Sequence, residues 1–531
     1  MNRFFRCLIF ILFLASINST FANSFAVELL EPGDPPERHF TSLLPDDDDI
    51  IYDIKPLYTP KSIKFSVTLT FKGNPLGKST LMLPGKFGGQ DNLPCVENLH
   101  VVSQFTSMLD TGDPTIKDLK YAPNSVIIIS YLINELPRPR SEVVLGNQFL
   151  PVINKKYYHF LGESLFAIPA DDWGREFNFK INWTNYPSDW SIANSFGVNE
   201  KKQLIRLPLW KFRHAVFVGG DFRISMRLIE NHPVYLAMRG NWSFSDTRLI
   251  DVIKTIIAEQ RAFWNDYDFP SYLVTVLPVI GNNEQTGTGR YNSYALFLST
   301  DRVIDYKFMR LLAHETFHAW VGDKIKADRP EELVYWFTEG FTEYYARLLL
   351  LRTGLISLTE YAEEYNDRLN EYFTSPVRYE SSERLIKEFW TNDDLHRLPY
   401  LRGDIIAHNL NAAIYSYSKG KKNLDEFMRD LLARGKDNIL ISNATLSALI
   451  RFYAGEKALS DIMATVNSGK TLKTRSDALG KCFNMEIDTE RKYWLLGEKY
   501  EIPQYIFNED RFSANPLDCI NWFRLYKIRV E

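Results

Sequence analysis

His314, Glu315 and His318 are the residues of this chain best suited to do chemistry. In the run His314-Glu315-Thr316-Phe317-His318 two imidazoles stand four residues apart. On an α-helix that spacing puts them on one face, about 6 Å apart along the axis. Both can therefore point at one metal ion, while Glu315 reaches a metal-bound water without being a ligand. Zinc with three protein ligands keeps one position open for water, so a third ligand is required. The stretch Trp336-Phe337-Thr338-Glu339-Gly340-Phe341-Thr342-Glu343-Tyr344 offers Glu339, because a carboxylate in such apolar surroundings is costly to bury unless paired or metal-bound. Glu343, one turn further, can hydrogen-bond a ligating histidine. Gly340 inside a helix costs about 1 kcal/mol relative to alanine, and close packing against the His314 helix would account for it. The competing reading makes His314 and His318 core histidines and Glu339 a helix-face charge. The order of the segments, with a gap long enough for a loop between antiparallel helices, favours the metal site.

The elements that must position these residues are legible in outline. Thr247 to Tyr267 carries apolar residues at helical spacing, with Ser245 or Asp246 as cap. Tyr272 to Ile280 and Tyr294 to Leu298 read as strands, joined through a Gly-rich loop from Gly281 to Gly289. Two long helical segments follow, Tyr306 to Ile325 and Glu331 to Leu351. Helical patterns recur in Leu424 to Leu432 and Thr445 to Tyr453. The half before Ser245 differs: short runs are broken by Pro, Gly and Asn. Phe177 to Trp183 alternates as a half-buried strand does, and Phe65 to Phe71 and Ser125 to Ile133 read as strands too. The expected fold is a multidomain α+β chain. Residues 1–22 form a signal peptide, 23–245 a β-rich N-terminal domain, 246–410 the catalytic domain and 411–531 a mainly helical C-terminal domain.

Composition sets limits on the partners. The chain has 531 residues, 45% of them hydrophobic, and a formal charge of −4 with both signs interspersed. That length calls for more than one ordinary core, and the charge pattern argues against nucleic acid. Arg3 and Arg6, the apolar core Cys7 to Ile17 and the small residues at Thr20 and Ala22 make a signal peptide cut after Ala22. No later stretch reaches the ~20 apolar residues of a membrane span. The expectation is export to the periplasm or beyond, without stable membrane insertion after cleavage. If an exported chain forms one disulfide, Cys482–Cys519 is the expected pair. Asp46 to Asp49 is read as a solvated loop in preference to a calcium site.

His-Glu-Thr-Phe-His-Ala-Trp from His314, followed by the Trp336 to Gly354 stretch, resembles the glycyl aminopeptidase family of zinc metallopeptidases, family sixty-one of the gluzincin clan. Further matches are Tyr400-Leu401-Arg402-Gly403-Asp404 and Ser418 to Asp425. The resemblance spans about Asp246 to Leu432 and is fainter through Phe160 to Trp190. It implies zinc, one per chain, on His314, His318 and Glu339, with Glu315 as catalytic carboxylate and Tyr400 as the hydroxyl that stabilises the transition state. It also implies a thermolysin-like α/β catalytic domain. The tail after Ser460 lacks a PDZ pattern, so no PDZ domain is expected. One departure matters. Related aminopeptidases hold the substrate amine with a glutamate in a Gly-rich segment. Here that segment is Gly287-Thr288-Gly289-Arg290-Tyr291-Asn292-Ser293, and the glutamate is missing. Glu284 could substitute or could be a solvated loop residue.

The expected function is hydrolysis of peptide bonds in peptides or proteins through a zinc-activated water, aminopeptidase-like by resemblance. Glu315 takes the proton of the water and hands it to the leaving amine, and Tyr400 supports the oxyanion. Gly287 and Gly289 would let an extended substrate add as a strand beside Tyr294 to Leu298. The alternatives are an endopeptidase or another zinc hydrolase on the same site, or an inactive binding protein.

Overall fold

Phe179, Ile181 and Trp183 are buried while Asn178, Lys180 and Asn182 between them are partly exposed, the period of two that a strand imposes. Such strands build the first half of the computed structural model, which describes residues 45–59, 62–136, 143–144, 146–170, 172–488 and 500–525. The expected signal peptide lies outside the described residues. Strands β1 (Asp49–Tyr58), β2 (Ile63–Lys72), β3 (Val96–Val101), β4 (Val126–Ile133), β5 (Glu176–Trp183) and β6 (Lys202–Pro208) form one sheet in the order β6-β5-β1-β2-β4-β3. Only β1 and β5 pair in parallel. Ile54, Phe65, Val67 and Ile129 point from it into an aromatic-rich core with Phe160, Phe212 and Phe217. The acidic run is tied to bases: Asp47 and Asp49 lie 2.5 Å from Lys72 and Lys180, and Asp48 pairs with Arg175.

A second sheet carries the helices. It comprises β7 (Arg223–Ile229), β8 (His232–Met238), β9 (Tyr272–Ile280), β10 (Gln285–Arg290) and β11 (Ser293–Ser299), in the order β7-β8-β9-β11-β10. The three central strands β8, β9 and β11 are parallel, and β10 runs antiparallel along the edge. Helix α1 (Asp246–Trp264) follows, with Ser245 accepting a hydrogen bond from the Arg248 N–H. It buries Leu249, Ile253 and Ile256. Then come α2 (Tyr306–Phe317), α3 (Tyr335–Thr338), α4 (Gly340–Thr353), α5 (Leu358–Thr374), α6 (Asp393–Tyr417), α7 (Leu424–Lys436) and α8 (Asn443–Ser468). A hairpin of β12 (Phe483–Asp488) and β13 (Ile502–Phe507) adds to the helical C-terminal part. Cys482 and Cys519 are bonded to each other.

The boundaries expected from composition shift in three places. Strands β7 and β8 precede residue 245 yet belong to the helix-bearing sheet, because β8 pairs with β9. Helix α6 crosses residue 410, and one hydrophobic core runs from Ile229 through Leu312, Phe341 and Leu398 to Leu431 and Leu449. Asp46–Glu531 accordingly forms one compact unit. The Gly281 to Gly289 segment is a loop only at its start, since Gln285–Arg290 is strand β10. Among the described residues no helix is long and apolar enough to cross a membrane.

Candidate metal centre and active site

Helix α2 ends earlier than the apolar pattern suggests. Asp305 caps its start by accepting from the Phe308 N–H, and Phe317 is its last helical residue. His318 is its C-terminal cap, and Gly322 at φ +119° turns the chain away, a conformation that side-chain-bearing residues rarely adopt. The turn brings the Val321 carbonyl back to accept a hydrogen bond from His318 Nδ1 at 2.9 Å. The second expected helix opens instead with a 3₁₀ turn, Glu331–Val334, before α3. Glu339 joins α3 to α4 with helical dihedrals, its N–H donating to Tyr335 and its carbonyl accepting from Glu343.

These two segments bring His314, His318 and Glu339 together. His314 Nε2 lies 3.1 Å from His318 Nε2 and 3.3 Å from Glu339 Oε2, and His318 Nε2 lies 3.5 Å from the same oxygen. Ligands about 2.05 Å from a tetrahedral zinc would stand ~3.3 Å apart, so the spacing fits that ion. Electrostatics agree. His318 Nδ1 donates to Val321, and Glu343 Oε1 sits 3.0 Å from His314 Nδ1. Both Nε2 atoms are thereby turned toward the Glu339 carboxylate, an arrangement that calls for positive charge between them. Burial disfavours the charged imidazoles, but Glu343 and Glu339 override it, holding His314 up at about 10 and raising His318. Burial would likewise raise Glu339, yet His318 and His314 keep it well below the carboxylate range. Two imidazoles and a carboxylate are a donor set that could hold zinc, and among the described residues this is the group of side chains that could hold a metal ion.

Glu343 occupies the position expected of it, behind His314. It also binds Arg310, which donates from Nη1 to both of its carboxylate oxygens. Burial works against the charged Glu343, and Arg310 with His314 holds it ionised. Arg310 escaped the sequence reading, although it lies one turn before His314 on α2, the spacing at which helix neighbours touch.

Tyr400 stands on α6, its ring centroid 5.9 Å from that of His314. Burial, followed by the charges of Glu339, Glu315 and Glu343, pushes its hydroxyl well above its ordinary value, so it remains a proton donor. Gly340 faces α6 and not the His314 helix that the sequence suggested. A Cβ there would lie 2.2 Å from Gly403 Cα, and one on Gly403 would lie 1.8 Å from the Trp336 carbonyl oxygen. The close approach is between α3–α4 and α6, and it sets Tyr400 against Glu339.

Three cavities meet at this cluster. One of about 290 Å³ is lined by Glu315, His318 and Glu339 together with Gly289 and Arg290. A second, about 440 Å³, reaches Tyr335, Trp390 and Tyr400. The third, about 280 Å³, touches His314, Glu315 and Tyr400. A Cβ on Gly289 would come 3.8 Å from Glu315 Oε2, so strand β10 passes directly beside the Glu315 carboxylate. Among the described residues, the sheet edge beside Glu315 is that of β10. The expected pairing beside Tyr294 to Leu298 is taken, because β10 already occupies that side of β11. Gly287 faces Tyr294, whose hydroxyl lies 2.0 Å from where its Cβ would be; it serves packing within the sheet.

Glu284 is not brought to the site. Its side chain lies over Gly281 and its N–H donates to Ser299 Oγ, and it lines none of the three cavities. Arg290, passed over in the sequence, does line the first cavity. It is buried, with Nη1 3.2 Å from Glu163 Oε1 and 3.1 Å from His214 Nδ1. Glu163 lies on the short helical turn Gly162–Leu165, 127 residues before Arg290 in the chain, a pairing that local sequence cannot reveal.

The donor set, the carboxylate beside it and the α+β architecture define a zinc metallopeptidase, a hydrolase. Residues 307–420 match the sequence model of the M61 glycyl aminopeptidase family, which bears out the resemblance over the segment carrying the metal site. No curated protein matches significantly. Among solved structures, the chain is similar to an aminopeptidase N family protein from Idiomarina loihiensis, with TM-score 0.70 and 19% identity over 85% of this chain and 81% of that one. It is also similar to an M1 zinc metallopeptidase of Deinococcus radiodurans, crystallised as a mutant bound to a Tyr-Ser-Ala substrate. There the TM-score is 0.53, with 15% identity over 81% and 95% of the two chains. These two likenesses concern the fold.

Proposed function

We propose that the protein hydrolyses peptide bonds, with His314, His318 and Glu339 holding one zinc ion, in a thermolysin-like arrangement of strands β7 to β11 and helices α1 to α6. The convergence of these three ligand atoms beside Glu315 and Tyr400 carries the reading. Zinc, when bound, supplies a Lewis acid that acidifies water and polarises a carbonyl. Glu315, at the junction of two cavities, takes a proton from the attacking water and delivers it to the departing nitrogen. The Tyr400 hydroxyl donates to the oxygen on which negative charge develops. Glu343 and the Val321 carbonyl hold the imidazoles in orientation. Strand β10 offers backbone groups to an extended peptide. The test is Glu315→Gln: zinc content stays near one per chain, and turnover of a peptide panel falls by about 10²- to 10⁴-fold. Retained turnover would place the general base elsewhere.

Aminopeptidase action is the family-based form of this proposal. Endopeptidase action is the second reading, and one observation favours it: Gly289 borders the catalytic carboxylate without a side chain, and Glu284 points elsewhere. Free-amine and N-acetylated versions of one peptide separate the two, equal cleavage supporting the endopeptidase. Export, with cleavage after Ala22, is proposed from the N-terminal pattern; N-terminal sequencing of the mature protein checks it.

A further inference from the structure

Arg310, Arg368 and Arg397 line the 280 Å³ cavity that Glu315 and Tyr400 also border. Arg310 is neutralised by Glu343. The other two share a single acceptor. Arg368 Nη1 on α5 and Arg397 Nη2 on α6 each lie 3.4 Å from the same oxygen, Glu371 Oε2. Both distances exceed the usual N–H···O range, and one carboxylate cannot balance two guanidinium groups. Arg368 Nε is buried with no hydrogen-bond partner among the described residues, and a buried donor left unserved is costly. The charges of Glu364 and Glu343 also act on Arg368, but neither carboxylate forms an ion pair with it among the described residues. Arg397 keeps 62% of its side chain exposed and stands three residues before Tyr400 on the same helix.

We infer that Arg368 and Arg397 bind a carboxylate of the substrate, so that peptides with an anionic group close to the scissile bond are preferred. The inference rests on the reading that the site hydrolyses peptides. Guanidinium groups pair with carboxylates through parallel hydrogen bonds of fixed geometry, which suits Arg397 with Arg368 behind it. Helix neighbours three apart stand about 5 Å from one another, and an extended peptide advances about 3.3 Å per residue. The recognised group therefore falls within about three residues of the bond that Tyr400 addresses. Its source is the C-terminal carboxylate of a short peptide or an Asp or Glu side chain.

Zinc-loaded full-length protein is assayed on one peptide as free acid and as C-terminal amide, and on amide peptides carrying Glu or Gln at each of the three positions on either side of the cut. The first pair tests the terminal carboxylate and the second the side chain. In one of them the anionic member has kcat/KM about 10- to 100-fold higher. Arg397→Gln and Arg368→Gln bring that ratio toward one, chiefly through KM, and Arg397→Glu turns it in favour of the neutral peptide. A ratio near one in the unmodified protein, or one unmoved by all three variants, overturns the inference while leaving the peptidase reading intact. Failure to cleave any peptide overturns both.

Discussion

Substituting Gly403 by alanine tests how the site is assembled, because it touches no ligand and no catalytic group. Its Cβ would stand 1.8 Å from the Trp336 carbonyl oxygen and 2.7 Å from Gly340 Cα. Carbon–oxygen contacts settle at about 3.3 Å, so α6 and α3–α4 must separate by roughly 1.5 Å. Both obstacles are backbone atoms of helices buried in the common core, and neither can swing aside as a side chain would. Overpacking of this kind costs about 1–3 kcal/mol. The larger effect falls on geometry, since α6 carries Tyr400 and the α3–α4 junction carries Glu339. A misplacement near 1 Å costs about 10²-fold in rate. Gly403→Ala is expected to lower kcat about a hundredfold while the protein remains folded with a reduced melting temperature. Peptide turnover, zinc content and thermal unfolding are the assays. A variant with unmodified kcat and melting temperature would show that the crossing does not hold the tyrosine and the ligand in register.

Glu343→Gln removes the carboxylate behind His314 and is expected to weaken zinc 10- to 100-fold, read by competition with a chelator. Tyr400→Phe keeps the ring and loses the donor, and kcat falls about 10²-fold or more with zinc retained; an unchanged kcat would remove Tyr400 from the mechanism. Asp404→Asn breaks a fully buried pair in which both carboxylate oxygens lie 2.6 Å from Arg347 Nη2, at a cost of about 3–5 kcal/mol in urea unfolding. Burial alone would raise the Asp404 carboxyl, but Arg347 and His408 hold it below its ordinary value. A carboxyl lowered in the folded state contributes stability that is fully present above its unfolded value of about 3.9 and is lost as pH falls through the folded one. Below about pH 4 the unmodified protein should therefore lose stability more steeply than the asparagine variant; parallel acid profiles would contradict this.

The sequence by itself singled out His314, His318 and Glu339, the three candidate ligands that the fold brings together. Helical periodicity places His314 and His318 on one face whatever surrounds them, and a glutamate in an aromatic stretch has few uses other than charge pairing. The same local rules located α1, α2 and β9, since their caps and apolar spacing lie within a dozen residues of one another. Tertiary structure decided what spans a distance. Which helix meets Gly340 depends on the α6 crossing, and Gly403 lies more than sixty residues away. Strand β10 reads as a loop because its glycines carry no alternating pattern, and only pairing with β11 makes it an edge strand. Arg290 meets Glu163, and Arg368 and Arg397 converge on Glu371, only once the chain has folded. Glu284 shows the converse: the right residue type at a plausible place in the chain, turned aside by a fold over Gly281 that no spacing rule records.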